Sequence, residues 1–383
     1  MLELRKFVAP EFIFGPDSIQ LVGRYLHNFG ASKVLIVTDP GIIGAGICQR
    51  LQDLLGQAAI DYSIFSEISE NPRDHNVMEG AAHYHRERCD IIVAIGGGSP
   101  MDCAKGIGVV STNQQNILEF EGIDQVAEPG PPLICIPTTS GTSADVSQFA
   151  IISASSLGKK IAIISKTMVP DVALIDPVTT VSMSPYLTAC TGIDALVHAI
   201  EAYVSTANSP ILDLHALEAI RLIHTYLPEA MNEPENIEFR SKMSLASLQA
   251  GLAFSNASLG AVHAMAHSLG GLLDLPHGEC NAILLEHVVA YNYSSAPERY
   301  NKIGAAMGLS LDGLSEKEVK KVLVDEIVKL KNLVGITTRL GQCGMKMSDI
   351  PKLAENAILD PCMVTNPRLP AQRDIEVIYE EAL

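Results

Sequence analysis

The apolar residues in the first half of the chain form short runs that alternate with longer amphipathic stretches. Residues 43–57 and 74–89 have apolar positions spaced as on one face of a helix. Runs of strand length, rich in β-branched residues, occupy residues 32–39, 61–68, 89–99, 131–142, 161–165 and 171–177. Because strands that alternate with helices form parallel sheets, this half predicts an α/β domain.

The second half has a different pattern, with long helical periodicities and almost no strand signal. Residues 188–205, 209–227 and 315–335 all have helical spacing, and Ser184 and Pro185 stand where a first helix would begin. We therefore predict two domains. An α/β dinucleotide-binding domain with a parallel sheet spans residues 1–183, and an all-helical domain spans residues 184–383.

Composition and charge narrow the class of protein. Of the 383 residues, 47% are hydrophobic and 19% charged, which is typical of a globular chain, and the net charge of −17 disfavours binding to nucleic acid or anionic membranes. The opening MLELRKFVAPEFIFG lacks the apolar run of a signal peptide, and no run of about 18 apolar residues exists. Eight singly placed cysteines, none in a CxxC pair, predict reduced thiols and a cytoplasmic location.

A glycine turn follows the run 89–99 and predicts a phosphate site. Gly96, Gly97, Gly98 and Ser99 lead into a helix whose N-terminal N–H groups would suit a phosphate, although a tight turn alone also explains glycines, and the spacing is not G-x-G-x-x-G. PTTSGTSAD (137–145) adds hydroxyl groups at a second strand end. We predict a nucleotide site across these strand ends.

Asp39 lies at the end of the first α/β strand, where an acidic residue can bind ribose hydroxyls. It would repel a 2′-phosphate and thus favour NAD over NADP. The alternative is that Asp39 only opens the turn formed with Pro40 and Gly41.

Histidines gather in one apolar stretch of the second half. His263 and His267 are four residues apart on one helical face, and His277 follows in a Pro/Gly turn, LPHGE. Asp194 and His198 form a second i,i+4 pair upstream. The alternative is a set of hydrogen-bonded core histidines, but burying five such groups without partners would cost about 1–3 kcal/mol each. A set of one carboxylate and several imidazoles predicts a divalent metal site. Such a set leaves a coordination position of the metal open for a substrate oxygen.

Four long motifs resemble those of the iron-dependent (group III) alcohol dehydrogenases, in the family's order. They are GGGSPMDCAKGIG (96–108), TGIDALVHAIEAY (191–203), NASLGAVHAMAHSLGG (256–271) and LPHGECNAILL (275–285). FIFGPDSI (12–19) and TNPR (365–368) are also similar to family motifs, so the resemblance covers essentially the whole chain. It implies a dehydroquinate synthase-like architecture and a homodimer or higher homo-oligomer.

The resemblance also implies the cofactors and their residues. Fe²⁺, with Zn²⁺ as the alternative, would be held by Asp194, His198, His263 and His277, and His267 would be a non-ligand beside the metal and the nicotinamide. NAD(H) would be bound by Asp39, Asn71, Gly97, Gly98, Ser99, Asp102, Thr138, Thr139, Thr142, Phe149 and Lys160. We expect the pocket walls to be Phe149, Phe254, Leu259 and Cys362.

The expected function is hydride transfer between NAD and small primary alcohols or diols and their aldehydes, in a cleft between the domains. The metal would polarise the substrate oxygen, and His267 would relay the alcohol proton. The alternatives are a zinc-dependent, glycerol-dehydrogenase-like enzyme and a metal-dependent lyase or cyclase on the same fold. One departure is Glu286, which stands where the family commonly has Pro and leaves the shape of the expected loop after His277 open.

Overall fold

The computed structural model describes residues 6–156 and 158–383; residues 1–5, which begin the segment inspected for a signal peptide, and Leu157 lie outside the described residues. The chain divides into two compact units. One spans Val8–Met183, and the other spans Ser184–Leu383 together with Lys6 and Phe7. In the described ranges, no helix is long and apolar enough to cross a membrane.

The first unit is built on a parallel sheet. Its described strands are β1 (Glu11–Phe14), β2 (Lys33–Val37), β3 (Asp61–Phe65), β4 (Ile91–Gly96), β5 (Gly122–Ile123), β6 (Leu133–Pro137), β7 (Phe149–Ala154), β8 (Lys159–Ile164) and β9 (Val172–Ile175). Its α-helices are α1 (Val22–Phe29), α2 (Pro40–Gly44), α3 (Ile47–Gln57), α4 (Asp74–Glu87) and α5 (Gly98–Asn113). The main sheet has the order β1-β9-β6-β4-β2-β3, and all its pairings are parallel.

Both faces of this sheet are buried, which explains the continuous apolar runs of its central strands. In β2, Leu35 and Val37 belong to one core cluster, and Val34 and Ile36 belong to the other. Helices α4 and α5 contribute to the first cluster, and α1 and α3 contribute to the second. Parallel strands covered on both faces have no polar alternation, so the predicted α/β fold with a parallel sheet is confirmed.

The structure differs from the predicted pattern in three details. The strand predicted over 161–165 is present within β8, but β8 pairs antiparallel with β7 and also pairs with β5 in a separate three-stranded sheet. The helix expected over 43–57 is two helices, because the backbone at Gly46 has φ 75°. Strand β1 was missed because it is short and partly exposed at the sheet edge.

The regular secondary structure of the second unit is helical, and its described residues contain no strand. Its α-helices are α6 (Pro185–Val204), α7 (Pro210–Asn232), α8 (Ile237–Ala257), α9 (Ala261–Leu273), α10 (His277–Asn292), α11 (Pro297–Ala306), α12 (Glu316–Leu333), α13 (Ile350–Leu359) and α14 (Gln372–Ala382). Helix α6 begins as expected, since Pro185 is its first residue and the Ser184 side chain accepts from the N–H of Leu187. Every residue from Thr188 to Val204 is buried, because α7, α8 and α10 pack around α6.

Two expectations about the segment after α9 were wrong. His277 does not lie in a turn; it is the first residue of α10, and Pro276 is the residue before the helix. Glu286 is not in a loop either, because it lies within α10 and its carboxylate binds Nζ of Lys331 at 2.7 Å. The turn-forming residues of LPHGE mark only the start of a helix, since Pro276 precedes α10 and Gly278 lies in its first turn.

Candidate active site

Asp194, His263 and His277 come together inside the helical unit. Oδ1 of Asp194 lies 3.8 Å from Nε2 of His263 and 3.9 Å from Nε2 of His277. The three ligand atoms all lie within 4.8 Å of one another. These residues come from α6, α9 and α10, so three separate helices build the cluster.

The three atoms surround one amide group. Nδ2 of Asn281, on α10, lies 2.6 Å from Oδ1 of Asp194 and 3.1 Å from Nε2 of each histidine. An amide nitrogen carries two hydrogens, so it cannot satisfy three acceptors at once. Oδ1 of Asn281 is buried with no hydrogen-bond partner. One carboxylate and two imidazoles that converge in this way fit a divalent cation.

His198 packs beside this cluster. It lies one helical turn after Asp194 on α6, and its ring stacks on that of His263, with centroids 4.6 Å apart. On its other side it stacks on Phe254, at 4.3 Å. The set of atoms within 4.8 Å contains the other three predicted ligands but not His198. Its role as a fourth ligand therefore stays a prediction.

Glu201 is a buried carboxylate that the sequence interpretation missed. Oε2 of Glu201 lies 2.7 Å from Nδ1 of His263, and both side chains are almost fully buried. Burial raises the pKa of Glu201 to about 7, although the backbone N–H groups that it accepts act in the opposite direction. Burial lowers the pKa of His263 well below its usual value, which favours a neutral imidazole. The signal was available, since Asp194, His198 and Glu201 follow one helical face at i, i+4 and i+7.

The start of α9 is held by side chains from distant segments. Glu201 accepts from the N–H groups of Gly260 (3.0 Å) and Val262 (2.7 Å), and Oδ1 of Asn366 accepts from that of Ala261 (3.1 Å). A Cβ at Gly260 would lie 2.9 Å from both capping side chains. These contacts give a structural role to the TNPR motif, to which Asn366 belongs, because they fix the helix that carries His263.

His267 is engaged elsewhere. Its Nδ1 lies 2.9 Å from Oδ2 of Asp360, and its ring stacks on that of His277 with centroids 5.2 Å apart. Burial raises the pKa of Asp360, but His267 and the N–H of Cys362 outweigh it, so that pKa lies below its usual value. Asp360 is a second carboxylate that the sequence interpretation missed. No motif marked it, because it is 93 residues away along the chain.

The expected pocket residues lie in both units. Phe254 contacts His198, Leu259 is buried just before α9, and Cys362 lies with Asp360 beside His267. Burial raises the pKa of Cys362 well above its usual value, so it is a thiol rather than a thiolate. Phe149 is buried in β7 of the α/β unit, where its carbonyl accepts from Nζ of Lys105.

The predicted nucleotide residues follow neighbouring strands of the parallel sheet. Asp39 comes after β2, Gly97 after β4 and Thr138 after β6, and these three strands are adjacent. The chain passes from β2 to β3 on one side and then to β4 on the other, so β2 and β4 flank a topological switch point. Ligands of open α/β sheets bind at the carboxyl ends of strands at such a point.

Two threonines of the hydroxyl-rich turn after β6 pack closely against the backbone at the start of α5. A Cβ on Gly97 would lie 3.3 Å from Thr139, and one on Gly98 would lie 3.0 Å from Thr142. The helix N-terminus has no side-chain cap, and Oγ1 of Thr138 is buried with no hydrogen-bond partner. Uncapped N–H groups and a buried hydroxyl that needs a partner fit a nucleotide phosphate group. Ser99 is the second residue of this helix.

The remaining nucleotide candidates have protein partners. Nζ of Lys160 donates to Oδ1 of Asn71 at 2.7 Å, so the structure brings these two together. Asp102 accepts from the N–H of Ile151 at 3.0 Å. Oδ1 of Asp39 accepts from the N–H of Ile42 at 3.0 Å, which caps α2. Asp39 therefore caps α2 through Oδ1 alone. Its second carboxylate oxygen is left for a ribose hydroxyl, so the structure is compatible with both the capping and the ribose-binding hypothesis.

Sequence comparison identifies the family. Residues 9–177 match the family described as "Iron-containing alcohol dehydrogenase", and residues 188–383 match "Fe-containing alcohol dehydrogenase family, C-terminal". The chain belongs to the iron-containing alcohol dehydrogenases. This family membership confirms the expected class of enzyme, an oxidoreductase that interconverts alcohols and aldehydes. It favours that function over the glycerol-dehydrogenase-like enzyme and over the lyase or cyclase.

Relatives match this iron-containing alcohol dehydrogenase over nearly its whole length. The 1,3-propanediol dehydrogenase of Klebsiella pneumoniae is 40% identical over 371 residues, 96% of each chain. The NAD-dependent methanol dehydrogenase of Bacillus methanolicus is 37% identical over 377 residues, 98% of this chain and 99% of the relative. The crystal structure of a 1,3-propanediol oxidoreductase superposes with a TM-score of 0.96 at 39% identity, with 100% of each chain covered.

Proposed function

We propose that this iron-containing alcohol dehydrogenase oxidises small primary alcohols or diols with NAD⁺ and reduces the corresponding aldehydes with NADH. We assign Fe²⁺ to Asp194, His198, His263 and His277. The observation that carries this proposal is the convergence of one carboxylate oxygen and two imidazole nitrogens on the Asn281 amide, within 4.8 Å of one another. Relatives that act on methanol and on 1,3-propanediol support a small alcohol as substrate.

When bound, Fe²⁺ supplies Lewis acidity towards the oxygen of the alcohol or aldehyde. The chain's own residues do the rest. His263 would offer the lone pair of Nε2 to the metal, with its Nδ1 donating to Glu201. In the same way His267 keeps Nε2 free while Nδ1 donates to Asp360, so Nε2 of His267 is the acceptor we propose for the alcohol proton. Phe254, Leu259 and Cys362 are buried and keep water away from the reacting groups.

The nucleotide assignment rests on the sheet edge of the α/β unit. We propose that the pyrophosphate lies at the N-terminus of α5, over Gly97 and Gly98, and that Asp39 accepts from a ribose hydroxyl. The uncapped helix end and the buried hydroxyl of Thr138 support this assignment. Asn71 and Lys160 are proposed as a pair of nucleotide contacts, because a 2.7 Å hydrogen bond joins them.

We also propose that the enzyme forms a homodimer or a larger homo-oligomer. Leu214, Leu359 and Val364 are large apolar side chains exposed in the helical unit, and exposed apolar groups often mark contacts between chains. Light scattering during size-exclusion chromatography tests this proposal, and a single-chain mass would contradict it.

We further propose a cytoplasmic location, supported by the eight singly placed cysteines and tested by cell fractionation.

The test of the function combines metal analysis with a substrate panel. Protein purified without oxygen should contain iron and should reduce NAD⁺ with methanol, ethanol, 1-propanol, 1,2-propanediol or 1,3-propanediol. Zinc in place of iron, with full activity, would overturn the metal assignment. Absence of NAD⁺ reduction across the panel, in protein that contains stoichiometric iron, would overturn the substrate class.

A further inference from the structure

We propose that Glu201 is a positioning residue of the metal centre, which holds His263 in the one tautomer that can bind the metal. The inference rests on the metal site proposed above. It adds a residue that touches neither the proposed metal nor the substrate.

The hydrogen bond between Glu201 and His263 decides where the imidazole proton lies. A neutral imidazole has one N–H and one lone pair, and an ionised carboxylate only accepts. Oε2 of Glu201 is 2.7 Å from Nδ1, so with the carboxylate ionised the contact assigns the proton to Nδ1 and the lone pair to Nε2. That Nε2 faces Oδ1 of Asp194 at 3.8 Å and Nδ2 of Asn281 at 3.1 Å. The tautomer therefore presents a lone pair to the cluster.

Glu201 is itself fixed on both oxygens. Oε1 accepts from the N–H of Val262 at 2.7 Å, and Oε2 also accepts from that of Gly260 at 3.0 Å. These N–H groups belong to the start of α9, where the helix dipole favours a negative charge. The carboxylate comes from α6, which also carries Asp194. It thus ties the helix of one proposed ligand to the helix of another.

The expected effect of removing the charge is a loss of metal affinity. A glutamine at this position has the same shape but replaces one acceptor oxygen with an NH₂ group. In place of Oε2, that NH₂ group would face both Nδ1–H of His263 and the N–H of Gly260; in place of Oε1, it would face the N–H of Val262. At least one donor therefore loses its acceptor in either orientation. Loss of a residue that orients a metal-binding histidine typically weakens metal affinity by about 10- to 100-fold. We expect a loss of that size for Glu201→Gln.

Asn366→Ala is the matched control. Asn366 caps the same helix start through the N–H of Ala261, at 3.1 Å, but its hydrogen bonds do not include one to His263. The control should therefore lower the Tm of the metal-free protein and leave its metal affinity near that of the natural chain.

The experiment titrates Co²⁺ and Fe²⁺ into metal-stripped full-length protein, with a chelator as competitor and the visible absorption of Co²⁺ as a signature of its ligands. Weaker binding and an altered Co²⁺ spectrum in Glu201→Gln alone support the proposal. Equal affinity and an unchanged spectrum would overturn it, and so would equal weakening in Asn366→Ala. If the natural chain binds no metal, the proposed function fails instead.

A second measurement serves if Glu201→Gln does not fold. The natural chain is labelled with ¹⁵N at histidine, and the His263 signals are assigned by their absence from His263→Gln. We expect a protonated Nδ1 and an unprotonated Nε2 in the metal-free protein. The opposite tautomer would overturn the proposal without any variant at Glu201.

Discussion

His267 and Asp360 are joined by a hydrogen bond within the helical unit, with 2.9 Å between Nδ1 of the imidazole and Oδ2 of the carboxylate. The other carboxylate oxygen accepts from the N–H of Cys362 at 2.8 Å, so Asp360 is held on both sides. His267 therefore has a fixed ring orientation and a free Nε2. This relationship separates His267 from the proposed ligands, although it lies on the same helical face as His263.

The first prediction concerns this pair. In Asp360→Asn the backbone N–H of Cys362 retains the amide oxygen, so the NH₂ group faces Nδ1 of His267 and favours the other tautomer, with the proton on Nε2. We expect kcat to fall by about 10- to 100-fold, which is part of the 10²–10⁴ that positioned proton transfer supplies. Steady-state kinetics and iron analysis check this, with iron content and the KM for NAD⁺ unchanged. Glu355→Gln is the control, since it changes an exposed carboxylate on α13. Full activity in Asp360→Asn would remove His267 from the mechanism.

The second prediction concerns His267 itself. Its Nδ1 is committed to Asp360, and its ring stacks on that of His277, at 5.2 Å between centroids. His267→Ala should lower kcat by about 10²-fold or more while iron stays near one per chain. The two measurements are made on the same preparation. Loss of iron together with activity would make His267 a ligand and would require one of the four assigned residues to leave the set.

The third prediction separates the two roles of Asp39. Asp39→Asn keeps an oxygen that can cap the N–H of Ile42 but removes the charge, whereas Asp39→Gly removes both. If the carboxylate repels a 2′-phosphate, both variants should raise kcat/KM for NADP⁺ relative to NAD⁺. Loss of the cap in Asp39→Gly should lower the free energy of unfolding by only roughly a few tenths of a kcal/mol. An unchanged cofactor preference in both variants would leave Asp39 with the capping role alone.

The fourth prediction concerns Glu286. Because its carboxylate pairs with Lys331, a buried residue on α12, Glu286→Gln leaves a buried ammonium group without its charged partner. We expect the free energy of unfolding to fall by about 2–3 kcal/mol, with no change in KM for the alcohol. Thermal or urea unfolding and steady-state kinetics check the two parts. A shifted KM at unchanged stability would contradict this structural role and give Glu286 a part in substrate binding.

Much of the fold was predictable because apolar residues are spaced differently along strands and along helices. Strands such as β2 and β4 are buried on both faces, so each appears as an unbroken apolar run. The antiparallel hairpin of β7 and β8 was not predictable, because nothing within β8 distinguishes it from a strand of the main sheet. The start of α10 was hidden for a different reason. Pro276 and Gly278 resemble a turn, and only packing shows that the chain continues as a helix.

The candidate site was predictable where its residues follow one helical face. Asp194 with His198, and His263 with His267, are visible as i,i+4 pairs. Asn281 also lies four residues after His277, but that spacing is informative only once His277 is known to begin a helix. Glu201 was overlooked although it continues the face of α6, and Asp360 meets His267 only through tertiary packing. Carboxylates that orient histidines need the fold before they can be assigned.

The most direct test of the account is the iron content of His263→Ala, purified without oxygen beside the natural chain. The ligand atoms of Asp194, His263 and His277 lie within 4.8 Å of one another, so removal of one of these proposed ligands should abolish stoichiometric iron and alcohol oxidation. NAD⁺ binding, measured by calorimetry, should persist, because the proposed nucleotide residues belong to the α/β unit. Full iron content with activity in His263→Ala would contradict the account.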